Sequence, residues 1–328
     1  MDEEIRKLNE RAQGYSEKLG SVQRELAKVI VGQARIVEKL MIALISDGHV
    51  LLEGVPGLAK TLMIRSLADS INASFCRIQF TPDLLPADLI GTKIYNHKEF
   101  KFTTKKGPVF SNFILADEIN RAPPKVQSAL LEAMQERQVT ISGDTFTLDK
   151  PFLVMATQNP IETEGTYRLP EAQVDRFMFK LLISYPSKQE EERIISLNTE
   201  GSEEKVSKVI AGKEILEMQA FVRRIYADDK VKGYVTSIVD ATRNPKSYGL
   251  EMARLIDYGA SPRASIWLIL ASKAQALLQG RGYVLPEDVQ YVCHDILRHR
   301  ILTSYEAEAE EIESDNIIDS IMERVKVP

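Results

Sequence analysis

Apolar residues recur at helical spacing from about residue 3 to residue 45, with one break at Val31-Gly32-Gln33, so the chain opens with two predicted helices meeting at a glycine hinge. The period then changes. Residues 49–52 form a short apolar run ending at Gly54, the pattern of a buried parallel strand feeding a loop, and helical spacing resumes over 60–70. Further runs of strand length lie at 75–80, 113–116, 152–156 and 177–183, separated by helical or looped segments. Strands alternating with crossovers predict a parallel sheet with helices on both faces, which takes its ligand beyond the carboxyl ends of the strands. The glycine loop lies at such an end.

Two stretches interrupt the alternation. Residues 92–106 are rich in Lys, Thr and aromatic side chains, and residues 139–148 place Gly143-Asp144 between alternating positions; both read as inserted β-hairpins. Beyond Ser184-Tyr185-Pro186-Ser187 the strand signals stop, and helical spacing runs through 188–197, 215–225, 231–242, 263–279 and 287–297. Pro262 and Pro286 stand just before helical runs, where a missing amide donor is harmless, and Gly280 follows one. The expectation is an α/β fold in two domains. Residues 1–186 form a nucleotide-binding parallel-sheet core with N-terminal helices and β-hairpin inserts, and residues 187–328 a smaller all-α lid.

Length and composition agree with that division. A chain of 328 residues exceeds one typical domain, and 44% hydrophobic with 27% charged residues is an ordinary globular balance. A net charge of -5 and a pI near 5.6 speak against a surface that grips nucleic acid or an acidic membrane over its whole extent. Cys76 and Cys293 stand far apart, which suits a reducing cytoplasm better than a disulfide-stapled secreted fold. The N-terminus is charged from Asp2 onward, without the apolar core of a signal peptide. The longest apolar stretch, 266–278, is interrupted by Ser272, Lys273 and Gln275, as in a buried helix rather than a membrane span. The acidic run 306–313 reads as solvated surface.

The chemistry concentrates after the first strand. A polyphosphate needs several backbone amides converging on it from a loop of small residues that ends at a helix N-terminus. Gly54-Val55-Pro56-Gly57-Leu58-Ala59-Lys60-Thr61, followed by Leu62, has that form. Pro56 has no amide to donate, so the cradle is expected from Gly57 through Thr61, with Lys60 reaching the terminal phosphates and the Thr61 hydroxyl reaching Mg2+. The strict pattern has glycine where Ala59 stands; a methyl group is tolerable there if the backbone keeps negative φ. Residues 113–118 are an apolar strand ending in two adjacent carboxylates, which can divide the labour. Asp117 would hold the metal shell and Glu118 would polarise an attacking water. Residues 152–156 lead into Thr157-Gln158-Asn159-Pro160, where a polar amide could orient that water. The segment lacks the Asn-Lys-x-Asp pattern of guanine recognition, so ATP is the expected nucleotide.

Taken together these segments resemble the MoxR family of AAA+ ATPases. The resemblance rests on the loop 54–61, on Ala116-Asp117-Glu118-Ile119-Asn120-Arg121-Ala122-Pro123-Pro124-Lys125 and on Ala156-Thr157-Gln158-Asn159-Pro160. It continues through Leu169-Pro170-Glu171-Ala172-Gln173-Val174-Asp175-Arg176-Phe177, Gly259-Ala260-Ser261-Pro262-Arg263-Ala264, Pro286-Glu287-Asp288-Val289 and Leu297-Arg298-His299-Arg300. It implies an ATPase ring, usually hexameric. Arg176 would be the arginine finger delivered in trans to a neighbour's γ-phosphate, Asn159 the first sensor, Arg263 the second sensor, and Val31-Gly32-Gln33 the segment at adenine. It also implies a von Willebrand factor A domain partner, a client protein, and hairpins projecting from one ring face; from that placement residues 95–106 are expected to touch a substrate or partner protein.

The leading expectation is therefore a chaperone-like motor. A nucleic-acid motor is the first rival, because the hairpin carries Lys98, Lys101, Lys105 and Lys106, but the overall acidity and the absence of an appended nucleic-acid-binding module weigh against it. An ATP-gated adaptor with little turnover is the second, and Glu118 with Arg176 argues for turnover. Cys293, His294 and His299 lack the spacing of a metal site.

Overall fold

The computed structural model describes residues 2–160, 165–200 and 204–328. The chain forms two compact units, one of Ser21–Phe177 with Leu181–Leu216, the other of Met1–Gly20, Met178–Lys180 and Glu217–Pro328. Each unit is assembled from segments that are discontinuous in the chain.

The larger unit is organised by a sheet whose strands are interleaved with helices. Helices α1 (Asp2–Val29) and α2 (Ala34–Ile45) precede β1 (Val50–Glu53), α3 (Lys60–Ile71) and β2 (Phe75–Gln79). After α4 (Pro86–Ile90) come the hairpin β3 (Gly91–Asn96) and β4 (Lys101–Lys106), then β5 (Phe113–Asp117), α5 (Pro124–Glu136) and the second hairpin, β6 (Gln138–Ile141) with β7 (Asp144–Thr147). Strand β8 (Leu153–Gln158), the single-turn α6 (Glu171–Val174), β9 (Phe179–Leu182) and α7 (Lys188–Thr199) complete the series. The sheet order is β2-β5-β8-β1-β9. The pairs β2·β5, β5·β8 and β8·β1 are parallel, with Ile78 opposite Ala116, Ile114 opposite Val154 and Leu51 opposite Ala156.

Burial explains why β1, β5 and β8 read as unbroken apolar runs. Residues 50–52, 113–116 and 153–157 are all buried, as expected of strands covered on both faces. Around them Phe80, Leu130, Leu131, Phe152 and Phe177 close the core, each at most 2% exposed. Both hairpins are present, and Lys93 ties the first to the second through Asp144 at 2.8 Å. In the β3–β4 hairpin Tyr95 pairs with Phe102, which remains exposed, as do Phe100 and Ile94.

The second unit is built from the first part of α1, up to Gly20, the later part of α8 (Gly212–Arg224), α9 (Asp229–Arg243), α10 (Pro262–Leu278), α11 (Pro286–Leu297), α12 (Tyr305–Ala309) and α13 (Ser314–Arg324). A short antiparallel pair, β10 (Ile256–Tyr258) with β11 (Leu302–Thr303), adds to the helices. Strands of two and three residues are too short to leave a period in the sequence.

Candidate active site at the glycine loop

Strand β1 delivers the chain to residues 54–59, and α3 begins at Lys60. Two backbone choices shape the turn between them: Gly57 has φ +86° and Ala59 has φ +54°. Ala59 therefore does not keep the negative φ that its methyl group prefers; it takes the left-handed conformation, which costs a non-glycine residue about 1–2 kcal/mol. What this achieves is visible at the helix start. Ala59 offers no side-chain cap to α3, and the first turn carries no acidic residue. By contrast, α7 starts with Ser187 accepting from the amide of Glu190, a closed cap. The first amides of α3 are thus left available for an external anion.

The loop forms one wall of a cavity of about 390 Å³, lined by residues 56–62 together with Arg77, Asp117, Glu118, Thr157 and Asn159. This brings Gly57, Leu58, Ala59, Lys60, Thr61, Leu62, Asp117, Glu118 and Asn159 into one place, although they come from three separated segments. Gly54 is not in the lining. A Cβ there would lie 2.2 Å from Ile183 Cγ2 and 2.8 Å from the Ile183 carbonyl oxygen, so this glycine serves close chain packing. Its carbonyl accepts a hydrogen bond from Lys60 Nζ. Burial pulls the Lys60 ammonium below its ordinary pKa, against the opposing pull of Asp117, Glu118 and Glu53.

The two carboxylates are held differently. Asp117 Oδ1 accepts the Thr157 hydroxyl at 2.7 Å, and Oδ2 accepts Arg77 Nη2 at 2.6 Å and Nε at 3.1 Å. Glu118 sits on a left-handed backbone, φ +55°, which turns the chain away from the strand direction. Its Oε2 accepts Gln79 Nε2 at 2.8 Å and Arg121 Nη1 at 2.9 Å. Gln79 in turn accepts from Arg77 Nη2 at 2.9 Å, so residues 77 and 79, on one face of β2, connect both acids. Arg77, Gln79, Arg121 and Thr157 escape a reading of the sequence. Only Arg121 is near an acid in the chain, and the register β2·β5·β8 that aligns the others is set by tertiary pairing.

The donor set would suit a magnesium ion, for which Thr61 and Asp117 would be the protein ligands. Thr61 and Asp117 line a single cavity, and magnesium is commonly held by one or two carboxylates plus substrate oxygens. The remaining sequence candidates lie outside that lining. Gly32 and Gln33 have φ +68° and +55°; Gln33 Nε2 donates to the Ser184 carbonyl at 2.8 Å, and a Cβ on Gly32 would meet Glu190 Oε1 at 2.8 Å. Val31 precedes them in the same break between α1 and α2. Arg176 follows α6, and its Nε is buried without a hydrogen-bond partner among the described residues. Arg263 is the second residue of α10, in the other unit.

Comparison with known proteins identifies the family. The model of the ATPase family associated with various cellular activities (AAA) matches residues 49–179, and the AAA lid domain matches 251–321. Chaperone MoxR1 of Mycobacterium tuberculosis is 47% identical over 321 residues, covering 97% of this chain and 85% of that protein. The uncharacterized protein YeaC of Bacillus subtilis is 49% identical over 311 residues, covering 94% and 95%. The protein MoxR of Methylorubrum extorquens is 30% identical over 93% of this chain and 94% of its own. A crystal structure from Cytophaga hutchinsonii, named as a candidate ATPase, superposes with a TM-score of 0.93 at 50% identity, covering 99% of each chain. A P-loop sheet with paired strand-end carboxylates, a helical lid and full-length relatives of this kind lead to one assignment: the chain belongs to the MoxR family of AAA+ ATPases.

Proposed function

We propose that this ATPase is a Mg2+-dependent, chaperone-like motor whose turnover matures or rearranges a client protein, working as a ring, hexameric in the usual form of the family. The observation that carries the reading is the convergence of residues 57–62, Asp117, Glu118 and Asn159 on one cavity. In this reading the amides of Gly57 through Thr61 cradle the phosphates with Leu62 beside them, Lys60 reaches the terminal ones, and Thr61 with Asp117 would hold the metal, which supplies charge neutralisation when bound. Glu118 polarises the attacking water and Asn159 orients it. Arg176 acts on the γ-phosphate held by a neighbouring copy, Arg263 senses that phosphate from the lid, and Val31-Gly32-Gln33 contacts adenine.

The exposed aromatic and basic β3–β4 hairpin is the proposed contact to client or partner, and a von Willebrand factor A domain protein is the proposed partner. Among the described residues no helix is long and apolar enough to cross a membrane, and the proposed location is the cytoplasm.

Glu118→Gln should still bind ATP and lose turnover by about 10²-fold or more, whereas Lys60→Ala should weaken nucleotide binding itself. Affinity purification of the Glu118→Gln protein with ATP then identifies what it holds. Unchanged nucleotide affinity in Lys60→Ala, measured by fluorescent-analogue titration, would overturn the assignment of the phosphate site.

A further inference from the structure

The segment Leu297-Arg298-His299-Arg300 has no part in the site described above, yet its arginines are among the most enclosed charges in the protein. Arg300 is 5% exposed, and the Arg298 side chain 9%. Burying a guanidinium is costly unless every donor is used, so the partners of these two groups indicate their purpose.

Both reach the same short stretch of chain. Arg298 Nη1 donates to the Lys180 carbonyl at 2.8 Å, and Arg300 Nη1 donates to the Met178 carbonyl at 3.2 Å. Residues 178 and 180 alternate, so their carbonyls point to one side, and β9 is the terminal strand of its sheet. A terminal strand leaves a row of backbone groups without a strand partner, and here guanidinium groups supply donors to the Lys180 carbonyl within β9 and to the Met178 carbonyl just before it. The Arg298 fork is itself fixed: Asp315 accepts from Nε at 3.0 Å and from Nη2 at 2.7 Å, and Asp295 accepts from Nη1 at 2.8 Å. Arg300 Nη1 also donates to the Ile296 carbonyl in the last turn of α11. The clamp is therefore anchored on α11 and α13. It closes on Met178–Lys180, the three residues of this stretch that cluster with the helical unit.

Arg176 lies two residues before Met178. From this juxtaposition we infer that Arg298 and Arg300 are positioning residues, which hold the backbone just beyond Arg176 and so set where its guanidinium is presented. The inference rests on the proposed action of Arg176 on a neighbouring copy's nucleotide. A guanidinium that acts on transferring phosphate depends on placement, and about 1 Å of displacement can cost on the order of 10²-fold in rate. A clamp that only closed a strand edge would affect stability alone; one that places Arg176 affects the neighbour's catalysis.

The test uses co-assembled full-length chains. Arg298→Gln alone should retain nucleotide affinity within about twofold and lose roughly 10- to 100-fold in kcat. Co-expressed with Lys60→Ala chains, which keep Arg176 but lack a working phosphate site, the Arg298→Gln sites should regain turnover, because the neighbour presents the finger. Arg176→Ala co-expressed with Lys60→Ala is the reference. If the reference pair regains activity and the Arg298→Gln pair does not, the inference is overturned while the trans role of Arg176 stands. If the reference pair fails, that role is wrong and the inference goes with it. A kcat for Arg298→Gln within twofold of the unaltered protein also overturns it. Should Arg298→Gln fail to assemble, Arg298→Lys and Arg300→Lys, which keep charge and one donor but not the fork, are read by the same outcomes with smaller losses.

Discussion

Thr157 Oγ1 donates its hydrogen to Asp117 Oδ1 at 2.7 Å and itself accepts the amide N–H of Glu118 at 2.9 Å. One side chain from β8, 1% exposed, thereby fixes the orientation of the first carboxylate and the backbone of the second. Thr157→Val keeps the shape and removes both bonds. The stranded amide should cost about 1–3 kcal/mol of stability, read by urea denaturation. The loosened carboxylates should lower kcat by about tenfold or more and raise the Mg2+ concentration needed for half-maximal turnover. Thr157→Ser, which retains the hydroxyl, should recover most of both effects. A Thr157→Val protein with unaltered kcat would show that the bridge has no part in turnover.

Ala59 stores strain that glycine would not. Relief of the left-handed conformation is worth about 1–2 kcal/mol, while a new glycine adds unfolded-state entropy worth about 0.4–1 kcal/mol. The first effect is the larger, so Ala59→Gly should be slightly stabilising, by up to about 1 kcal/mol, with ATP affinity within about twofold. Ala59→Val, branched at Cβ, should instead lose stability and weaken nucleotide binding together, because the turn that frees the α3 amides would be harder to hold. Thermal denaturation and nucleotide titration of the two variants check the opposite signs.

Gly54 makes a contrasting case within the same loop. Its missing Cβ leaves room for Ile183, whose amide donates to the Glu53 carbonyl at 2.9 Å. Gly54→Ala should push these chains apart and cost about 1–3 kcal/mol, seen as a lower denaturation midpoint. Ile183→Ala in the same chain removes the Cγ2 contact but leaves the carbonyl contact at 2.8 Å, so it should restore only part of the loss. Full restoration would show that the backbone contact is immaterial.

These positions mark how far the sequence can be read. The loop and the Asp117-Glu118 pair are contiguous and carry their own chemistry, and the apolar runs of β1, β5 and β8 announce a buried sheet because both of their faces are covered. Arg77, Gln79 and Thr157 lie about forty residues on either side of the acids they hold, and nothing local distinguishes them from ordinary strand residues. The same holds for the bonds from Arg298 and Arg300 to the Lys180 and Met178 carbonyls, which lie more than a hundred residues away. The positive φ of Ala59 and Glu118 is likewise imposed by tertiary demand against local preference, and opposite to what alanine alone suggests.

His49, immediately before β1, gives the structure an acid-sensitive point remote from the nucleotide chemistry. Its Nδ1 accepts the Val154 amide at 3.0 Å and its Nε2 faces the Met134 carbonyl at 3.2 Å. An amide can only donate, so Nδ1 must be unprotonated and Nε2 carries the hydrogen. Burial holds the ring pKa well below its ordinary value, the nearby Arg137 acts in the same direction, and the Met134 carbonyl opposes them. In the unfolded chain this histidine takes up a proton near about pH 6.5, while the folded ring resists it. Below that pH the unfolded state binds more protons, so stability should fall as the pH drops through about 6.5 toward the lowered folded value. The slope from this group should approach about 1.4 kcal/mol per pH unit, and the group should contribute no slope above about pH 7.5. His49→Gln, which cannot titrate, should lose that component: urea denaturation at pH 7.5, 6.5 and 5.5 should give a flatter dependence than the unaltered protein, whose remaining slope then belongs to its carboxylates. Equal slopes in the two proteins would mean that His49 gains its proton within the fold at ordinary pH, and that the Val154 amide does not hold it neutral.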